Sequence, residues 1–480
     1  NSTETDINII KRRRDENDTH YDNDTLEEQT TAYFKGLLSR ATKLPDSRID
    51  AHAAFEGFGI DSVMAMTMTA ELEATFGPLP KTLFFEFRNV RELARHFVEN
   101  HRSALVQLLA PAGEPAPAAA PKPRPRVSAV RRKPLASSRW STRSDKPEQR
   151  DRTSRPARRQ DEPQGLDIAI IGLSGRYPKA RTLDTFWANL AEGRDCVTGI
   201  PKDRWDHGVY FDPDKDAPGK TYSKWGGFID GVDEFDPLFF HISPSEAELM
   251  DPQERLFLQC VYETVEDAGY TPARLNAPAA DGTAPNVGVY VGVMYEEYQL
   301  YGAQEQVLGN PVAVSGNPSA VANRVSYYFD LQGPSMSVDT MCSSSLTAIH
   351  LACQSLRSGT CEVAIAGGVN LSVHPNKYLM LGQGRFVSSK GRCESFGAGG
   401  DGYVPGEGVG AVLLKPLAAA LRDGDRIHGV IKGVCVNHGG RTNGYSVPSP
   451  QAQARSITDA WRQAGVDPRA VSYIEAHGTG

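Results

Sequence analysis

The sequence predicts two unlike folded parts on one chain, a small four-helix bundle over 25–109 and a larger α/β domain over 165–480. Three observations carry this. Apolar residues recur at helical spacing in the first part, as in Leu26, Tyr33, Leu37, Leu38, Ala41 and Leu44. From Ile168 onward, short β-like runs alternate with helical stretches, the pattern of an α/β domain with buried strands. Between them, 110–164 is rich in Ala and Pro and then basic. Such a composition cannot bury enough apolar area to offset the entropy of ordering.

Taken in order, 1–24 is polar and charged and reads as a disordered tail. One amphipathic helix runs from Leu26 to Leu44 and is closed by Pro45. A loop with Phe55, Phe58 and Ile60 leads to Asp61-Ser62, and a second helix carries Val63, Met66, Leu72 and Phe76 up to Gly77-Pro78. A short turn element at Thr82–Phe87 and a last helix from Val90 to about Leu109 complete the set, with Ser62 at a helix N-terminus. In 122–159, 14 Lys and Arg stand against 3 acidic residues, although the whole chain carries a net charge of -7. With one aromatic (Trp140), many Pro and Ser and no apolar period, this run reads as a solvated linker and not a nucleic-acid site.

In the α/β part, strands are expected at Ile168–Ile171, Val287–Val293, Val363–Ala366, Gly410–Leu414 and Gly429–Val436. Helices are expected at Leu183–Leu190, Ala320–Tyr328 and Gln453–Ala464, with a final strand-like run at Val471–Ile474. At 480 residues and 40% hydrophobic content, two or three domains can each fill a core. The chain begins at Asn1 without Met and ends in mid-motif, so it reads as a segment of a longer polypeptide. No run of 18 apolar residues and no leader pattern opens it, which argues against a membrane partner. The Asn-x-Thr/Ser triplets at Asn1, Asn17 and Asn23 therefore read as chance. Seven cysteines without paired spacing form neither a disulfide framework nor a metal pattern, and a reducing cytoplasm is the expected setting.

Two segments carry chemistry. Cys342 follows a β-like run (Met336, Val338) and opens a helix in which Leu346, Ile349, Ala352, Cys353 and Leu356 recur, with Gly359 as C-cap. A thiol at a helix N-terminus meets unpaired N–H groups and the positive end of the dipole, both of which favour thiolate. His477 follows the last strand-like run between small residues, where it can approach a thioester. Thiol plus histidine reads as acyl transfer. Cys260, Cys353 and Cys361 lie on apolar faces and read as structural thiols. His350 reads as a packed helix residue, and His374 and His438 lie in loops. Gly406, Gly408 and Gly410 have the wrong spacing for a nucleotide loop.

From Asp167 to Gly480 the chain resembles the ketosynthase family of the thiolase superfamily. The matching segments are Asp167–Gly172 with Gly175–Pro178, Met250–Arg255, Asp339–Leu346, Gly402–Gly408, Asn437–Pro448 and Glu475–Gly480. Gly59-Ile60-Asp61-Ser62 resembles the attachment site of an acyl carrier domain. The order, carrier then ketosynthase, resembles modular polyketide synthases, and Met341 with Asn437–Gly440 resembles systems whose acyltransferase acts in trans.

The resemblance implies a thiolase-like layered α/β/α/β/α domain, incomplete at the C-terminus, beside the carrier bundle. It implies 4'-phosphopantetheine on Ser62, placed by a phosphopantetheinyl transferase whose metal Asp61 assists. It implies Cys342 as nucleophile, its backbone N–H in an oxyanion hole, and His477 with a second histidine on the malonyl thioester. That second histidine and a preceding buried lysine would lie beyond Gly480, while Asp401 and Glu407 would order the site. Acyl-thioester and malonyl-carrier substrates, a trans-acting acyltransferase and a homodimer through the ketosynthase follow as partners. The implied activity is polyketide chain elongation by decarboxylative Claisen condensation. A non-elongating ketosynthase that only transfers acyl chains is the alternative. A Cys-His thioester hydrolase and an inert scaffold rank behind it.

Overall fold

The computed structural model describes residues 23–109, 167–278 and 285–479, apart from 43, 59, 61, 81, 311, 315, 445 and 446. The linker expected at 110–164 and the tail up to residue 22 lie outside the described residues, as do Gly59 and Asp61.

The first helix, α1 (Asn23–Thr42), buries Leu26, Phe34, Leu37 and Leu38, the stripe that its apolar spacing requires. Helix α2 (Ser62–Phe76) buries Ala65, Met68, Thr69 and Leu72 and ends at Gly77, whose φ of 80° suits a residue without Cβ. A short α3 (Leu83–Glu86) follows. The single last helix expected from the sequence is two, α4 (Val90–Asn100) and α5 (Arg102–Leu109). At the break, the Asn100 side-chain amide donates to the His96 carbonyl at 2.9 Å and competes with its own backbone N–H for that acceptor. Two of the three boundaries between the chain's two compact units fall inside this helical region, after Ala32 and after Leu93, and the third follows Glu162.

The α/β part is built on one six-stranded sheet. Its strands are β1 (Ile168–Arg176), β4 (Val287–Gly292), β5 (Ser335–Val338), β6 (Val363–Asn370), β7 (Gly408–Pro416) and β8 (Gly429–Ile431). The order is β5-β4-β6-β7-β1-β8, with β4 parallel to β5 and β6 and the other neighbours antiparallel. A separate two-stranded ribbon pairs β2 (Thr198–Gly199) with β3 (Trp225–Gly226).

The helices after the first five are α6 (Leu183–Ala191), α7 (Pro244–Leu249), α8 (Pro252–Asp267), α9 (Pro272–Leu275) and α10 (Tyr298–Val307). They continue with α11 (Ser319–Phe329), α12 (Ser344–Ser358), α13 (Asn376–Gln383), α14 (Leu417–Asp423) and α15 (Pro450–Ala464).

Strand alternation sends Val287, Val289 and Val291 of β4 into the core shared with α8 and α11, with Phe257, Val261, Val325 and Phe329. The opposite face sends Tyr290, Ala364, Ala366 and Leu414 against Ala348, Ala352 and Leu356 of α12. Of the layers that the resemblance implies, the described residues form three, with one sheet between helices.

Three elements differ from the sequence expectation. Strand β1 runs on to Arg176, past a bulge between Ile170 and Gly172, because its second half continues to pair with β7. Strand β8 stops at Ile431, five residues early. The apolar run at 471–474 forms no strand. No described strand pairs with it, and Tyr473 and Ile474 stay exposed. Alternation alone does not make a strand when its backbone groups lack a partner edge.

Candidate active site

Cys342 stands on the corner between β5 and α12. Three residues separate Val338 from Cys342, and Met341 turns the chain with a left-handed φ of 58°. Hydroxyl and carboxylate groups hold this strained turn. Asp339 Oδ1 accepts the Met341 N–H at 2.8 Å. Ser344 Oγ accepts the Thr340 N–H at 2.9 Å and donates to the Met341 carbonyl at 2.6 Å. Thr340 Oγ1 lies 3.0 Å from Ser343 Oγ and 2.9 Å from Thr347 Oγ1. The Ser/Thr-rich sequence around the thiol is the scaffold of the turn.

Helix α12 begins at Ser344 with Ser343 as N-cap, so the thiol precedes the helix by one residue more than a capping position. The N–H groups of Ser343 and Ser344 are bonded to the Thr340 and Met341 carbonyls at 3.4 and 3.2 Å. These two N–H groups are engaged within the turn, so they do not face the thiol unpaired as the sequence suggested. Two glycines let the helix come this close to the sheet. A Cβ on Gly292 would lie 2.5 Å from Ser345 N, and one on Gly368 would lie 2.8 Å from Ser345 Cβ.

Cys342 is exposed and opens into a cavity of about 720 Å³. Tyr295, Asn370, Lys377, Tyr403, Glu407 and His477 line the same cavity. The fold thus brings the thiol and His477 together across 135 residues of sequence, on an exposed segment where the Gly478 carbonyl accepts from Ser395 Oγ. Burial raises the Tyr295 and Tyr403 hydroxyls, with the negative charge that Cys342 can carry adding to it, so both stay protonated.

The other cysteines divide as their sequence settings suggest. Cys260, Cys353 and Cys361 are buried, and burial pushes their thiols up to about 12, about 11 and about 11. His350 is held below its ordinary value by burial. His374 packs against Tyr301 and accepts the Asn376 N–H at Nδ1, and the exposed His438 accepts from Gly440. None of the three lines the cavity. Gly408 and Gly410 belong to β7, so no nucleotide loop forms there.

Glu407 is the most heavily engaged carboxylate of the site. It is 4% exposed and accepts from the Ile229 and Ser372 N–H groups at 2.8 and 2.9 Å and from Arg204 at 3.1 and 3.4 Å. Asp401 accepts from Ser389 and from Lys215 Nζ at 3.0 Å; although burial opposes it, these bonds hold its carboxyl below the usual range. Glu407 lines the cavity, whereas Asp401 and its partners lie outside that lining.

Sequence reasoning missed Lys377 and Glu297. Lys377 on α13 is 3% exposed and donates to Asn370 Oδ1 at 2.8 Å and the Leu371 carbonyl at 3.1 Å, with its ammonium 4.8 Å from the Tyr295 ring centroid. Glu297 accepts from Asn376 Nδ2 and the Lys377 N–H at 2.8 and 3.1 Å. The signal available was one lysine inside the apolar run Tyr378-Leu379-Met380-Leu381, directly after a loop.

A carboxylate pair lies nearby. Burial, helped by Glu254, pushes Asp251 up to about 6, although the Gln253 N–H bonds one of its oxygens. Burial, then Asp251 and Glu254, pushes Glu296 up to about 7. The folded state therefore holds protons that the unfolded chain has released, and that stabilisation is lost as pH rises through these values. Thermal midpoints should fall between pH 5 and about 7.5, and Glu296→Gln should flatten the slope. Scanning calorimetry across that range checks it, and a flat or rising midpoint contradicts it.

Ser62 is the first residue of α2. A position at the start of a 15-residue helix lies at the positive end of its dipole, which favours a phosphate ester. Among the described residues, no group of three or more His, Cys, Asp or Glu is placed to hold a metal ion. No described helix is long and apolar enough to cross a membrane.

A cysteine on a strand-to-helix corner, open to a histidine-lined cavity on an α/β sheet, defines the class of enzymes that move acyl groups through a thiol. The comparisons with known proteins agree. Residues 166–420 match the model of the β-ketoacyl synthase N-terminal domain, and 428–480 match that of its C-terminal domain. Residues 32–97 match the phosphopantetheine attachment site, which shows a carrier domain with that cofactor covalently bound.

Polyketide synthase PksL of Bacillus subtilis is 60% identical over 461 residues, covering 96% of this chain and 10% of that protein. Polyketide synthase ThaG of Burkholderia thailandensis is 53% identical over 471 residues, covering 95% and 8%. Among solved structures, the oxazolomycin ketosynthase domain OzmH KS7 of Streptomyces albus is 56% identical with a TM-score of 0.63, covering 66% of this chain and 54% of that one. The module 6 ketosynthase of the Bacillus subtilis bacillaene synthase is 41% identical with a TM-score of 0.58, covering 65% and 51%. The chain belongs to the β-ketoacyl synthase family of polyketide synthases. It spans about a tenth of the length of the curated relatives that it matches.

Proposed function

We propose that this chain carries a polyketide across a module boundary and extends it, with the carrier domain at 25–109, the linker at 110–164 and the ketosynthase at 165–480. The observation that supports this most directly is the shared cavity of Cys342 and His477. Cys342 sulfur attacks the carbonyl of a carrier-bound acyl thioester, and the pantetheine thiol leaves with the proton. His477, with a further histidine, polarises the malonyl thioester as carbon dioxide departs. The enolate carbon then attacks the Cys342-bound carbonyl, forming the new C–C bond and returning the thiolate. The Cys342 N–H stabilises the oxyanion in both steps.

Ser62 holds phosphopantetheine, which supplies the long flexible thioester arm of the carrier. The partners are the transferase that modifies Ser62, a malonyl-loaded carrier, an acyltransferase acting in trans and a second copy of the ketosynthase. All fit a cytoplasmic setting. Two measurements test this reading. Incubation with coenzyme A and a broad phosphopantetheinyl transferase should add one pantetheine mass, and Ser62→Ala should add none. Incubation of the full-length protein with an acyl thioester and a malonyl-carrier should give a chain two carbons longer. Transfer without lengthening would favour the non-elongating alternative, and free acid would favour a hydrolase.

A further inference from the structure

We infer that Lys377 is a specificity-determining residue of the acyl cavity, selecting chains that carry a hydrogen-bond-accepting oxygen over fully reduced chains. This rests on the proposed acyl transfer to Cys342 and names the substrate class of that same site.

The argument starts from cost. A lysine that is 3% exposed gives up most of its hydration, and a methionine of similar length would fill the space without that penalty. Burial accordingly brings Lys377 down to about 8, with Glu407 and Glu297 opposing the shift. The local structure does not repay the cost in full. Glu297 spends its hydrogen bonds on Asn376 Nδ2 and the Lys377 backbone N–H, not on the ammonium. Glu407 is taken by Arg204 and two backbone N–H groups. Besides the Tyr295 ring face 4.8 Å away, Nζ has two neutral hydrogen-bond acceptors, Asn370 Oδ1 and the Leu371 carbonyl, for three protons. One N–H is left to donate.

Lys377, Asn370 and Tyr295 all line the cavity that holds Cys342. Val369, Val404, Val409 and Val412 make much of the remaining wall apolar. A chain oxygen placed at Nζ completes the ammonium's third bond, whereas a methylene there leaves a charged donor unpaired. Loss of a hydrogen bond to a charged group costs on the order of tenfold or more in discrimination.

The test compares loading of the full-length protein by hexanoyl, 3-hydroxyhexanoyl and 5-hydroxyhexanoyl pantetheine thioesters, read by intact mass. In the wild type, at least one hydroxy chain should load on the order of tenfold faster than hexanoyl. In Lys377→Met the ratio should fall to within about twofold of unity. A second measurement needs no variant. Between pH 7 and pH 9 the wild-type ratio should fall as Lys377 loses its charge, while burial keeps the Tyr295 hydroxyl protonated. Changes in Cys342 or His477 act on all three probes alike and cancel in the ratio. A purely structural lysine would alter stability but neither ratio. A wild-type ratio near unity, or one that Lys377→Met leaves intact, overturns the inference while leaving acyl transfer standing. If Lys377→Met does not fold, a pH-independent ratio overturns it. No loading of Cys342 by any probe overturns both readings.

Discussion

Cys342→Ala should abolish acyl loading of the full-length protein, while His477→Ala should retain substantial loading and lose condensation. The two residues line one cavity, yet their roles separate because charge develops in different places. In loading, the nucleophile is the sulfur itself, set on the Met341 turn by Asp339, Thr340 and Ser344 independently of His477. In condensation, negative charge develops on the malonyl thioester oxygen, the atom to which His477 is proposed to donate. Loss of one preorganised donor to such an oxygen costs about 10²–10³ in rate. Intact-mass measurement of acyl-protein and of the extended product separates the two steps. If His477→Ala loses loading as completely as Cys342→Ala, the two act as one activating pair and this division of roles fails.

The corner that holds the thiol was legible because it is written locally. A β-like run, a Ser/Thr cluster, a helical apolar period and Gly359 lie within 25 residues, and Gly359 does take the left-handed C-cap conformation with φ 72°. The core strands were legible for the same reason. Val287–Gly292 is buried at every position, as a continuous apolar run bounded by polar residues demands.

What escaped was set by distant partners. Lys377 reads as a surface residue until α13 is placed against Glu297, which stands 80 positions upstream. The run at 471–474 has strand composition, but a strand exists only where another edge accepts its bonds. The split between α4 and α5 turns on one asparagine side chain competing for a carbonyl, which a smooth apolar period conceals. Local chemistry was readable, and pairings across the chain were not.

Glu407→Ala should destabilise the α/β part by about 3–5 kcal/mol, because it removes one partner of a buried ion pair. Glu407 is 1% exposed and Arg204 is 6% exposed at their side chains, so the guanidinium left behind can neither reach water nor find a second full partner. It keeps only the Ile229 carbonyl at 2.7 Å and the more distant Asp203, at 3.7 Å. The Ile229 and Ser372 N–H groups lose their acceptor as well, which adds to the cost. Two variants separate charge from hydrogen bonding. Glu407→Gln keeps an acceptor for a backbone N–H but not the charge, so it should lose less than Glu407→Ala. Arg204→Met combined with Glu407→Ala should recover part of the loss, since the stranded cation is gone while both amides still lack a partner. Denaturant midpoints of the wild type, Glu407→Ala, Arg204→Met and the double variant close this cycle. A loss below about 1 kcal/mol in Glu407→Ala would mean that water or a neighbour replaces the carboxylate. Glu407 would then be one contact among many and not the tie between Arg204, Ile229 and Ser372.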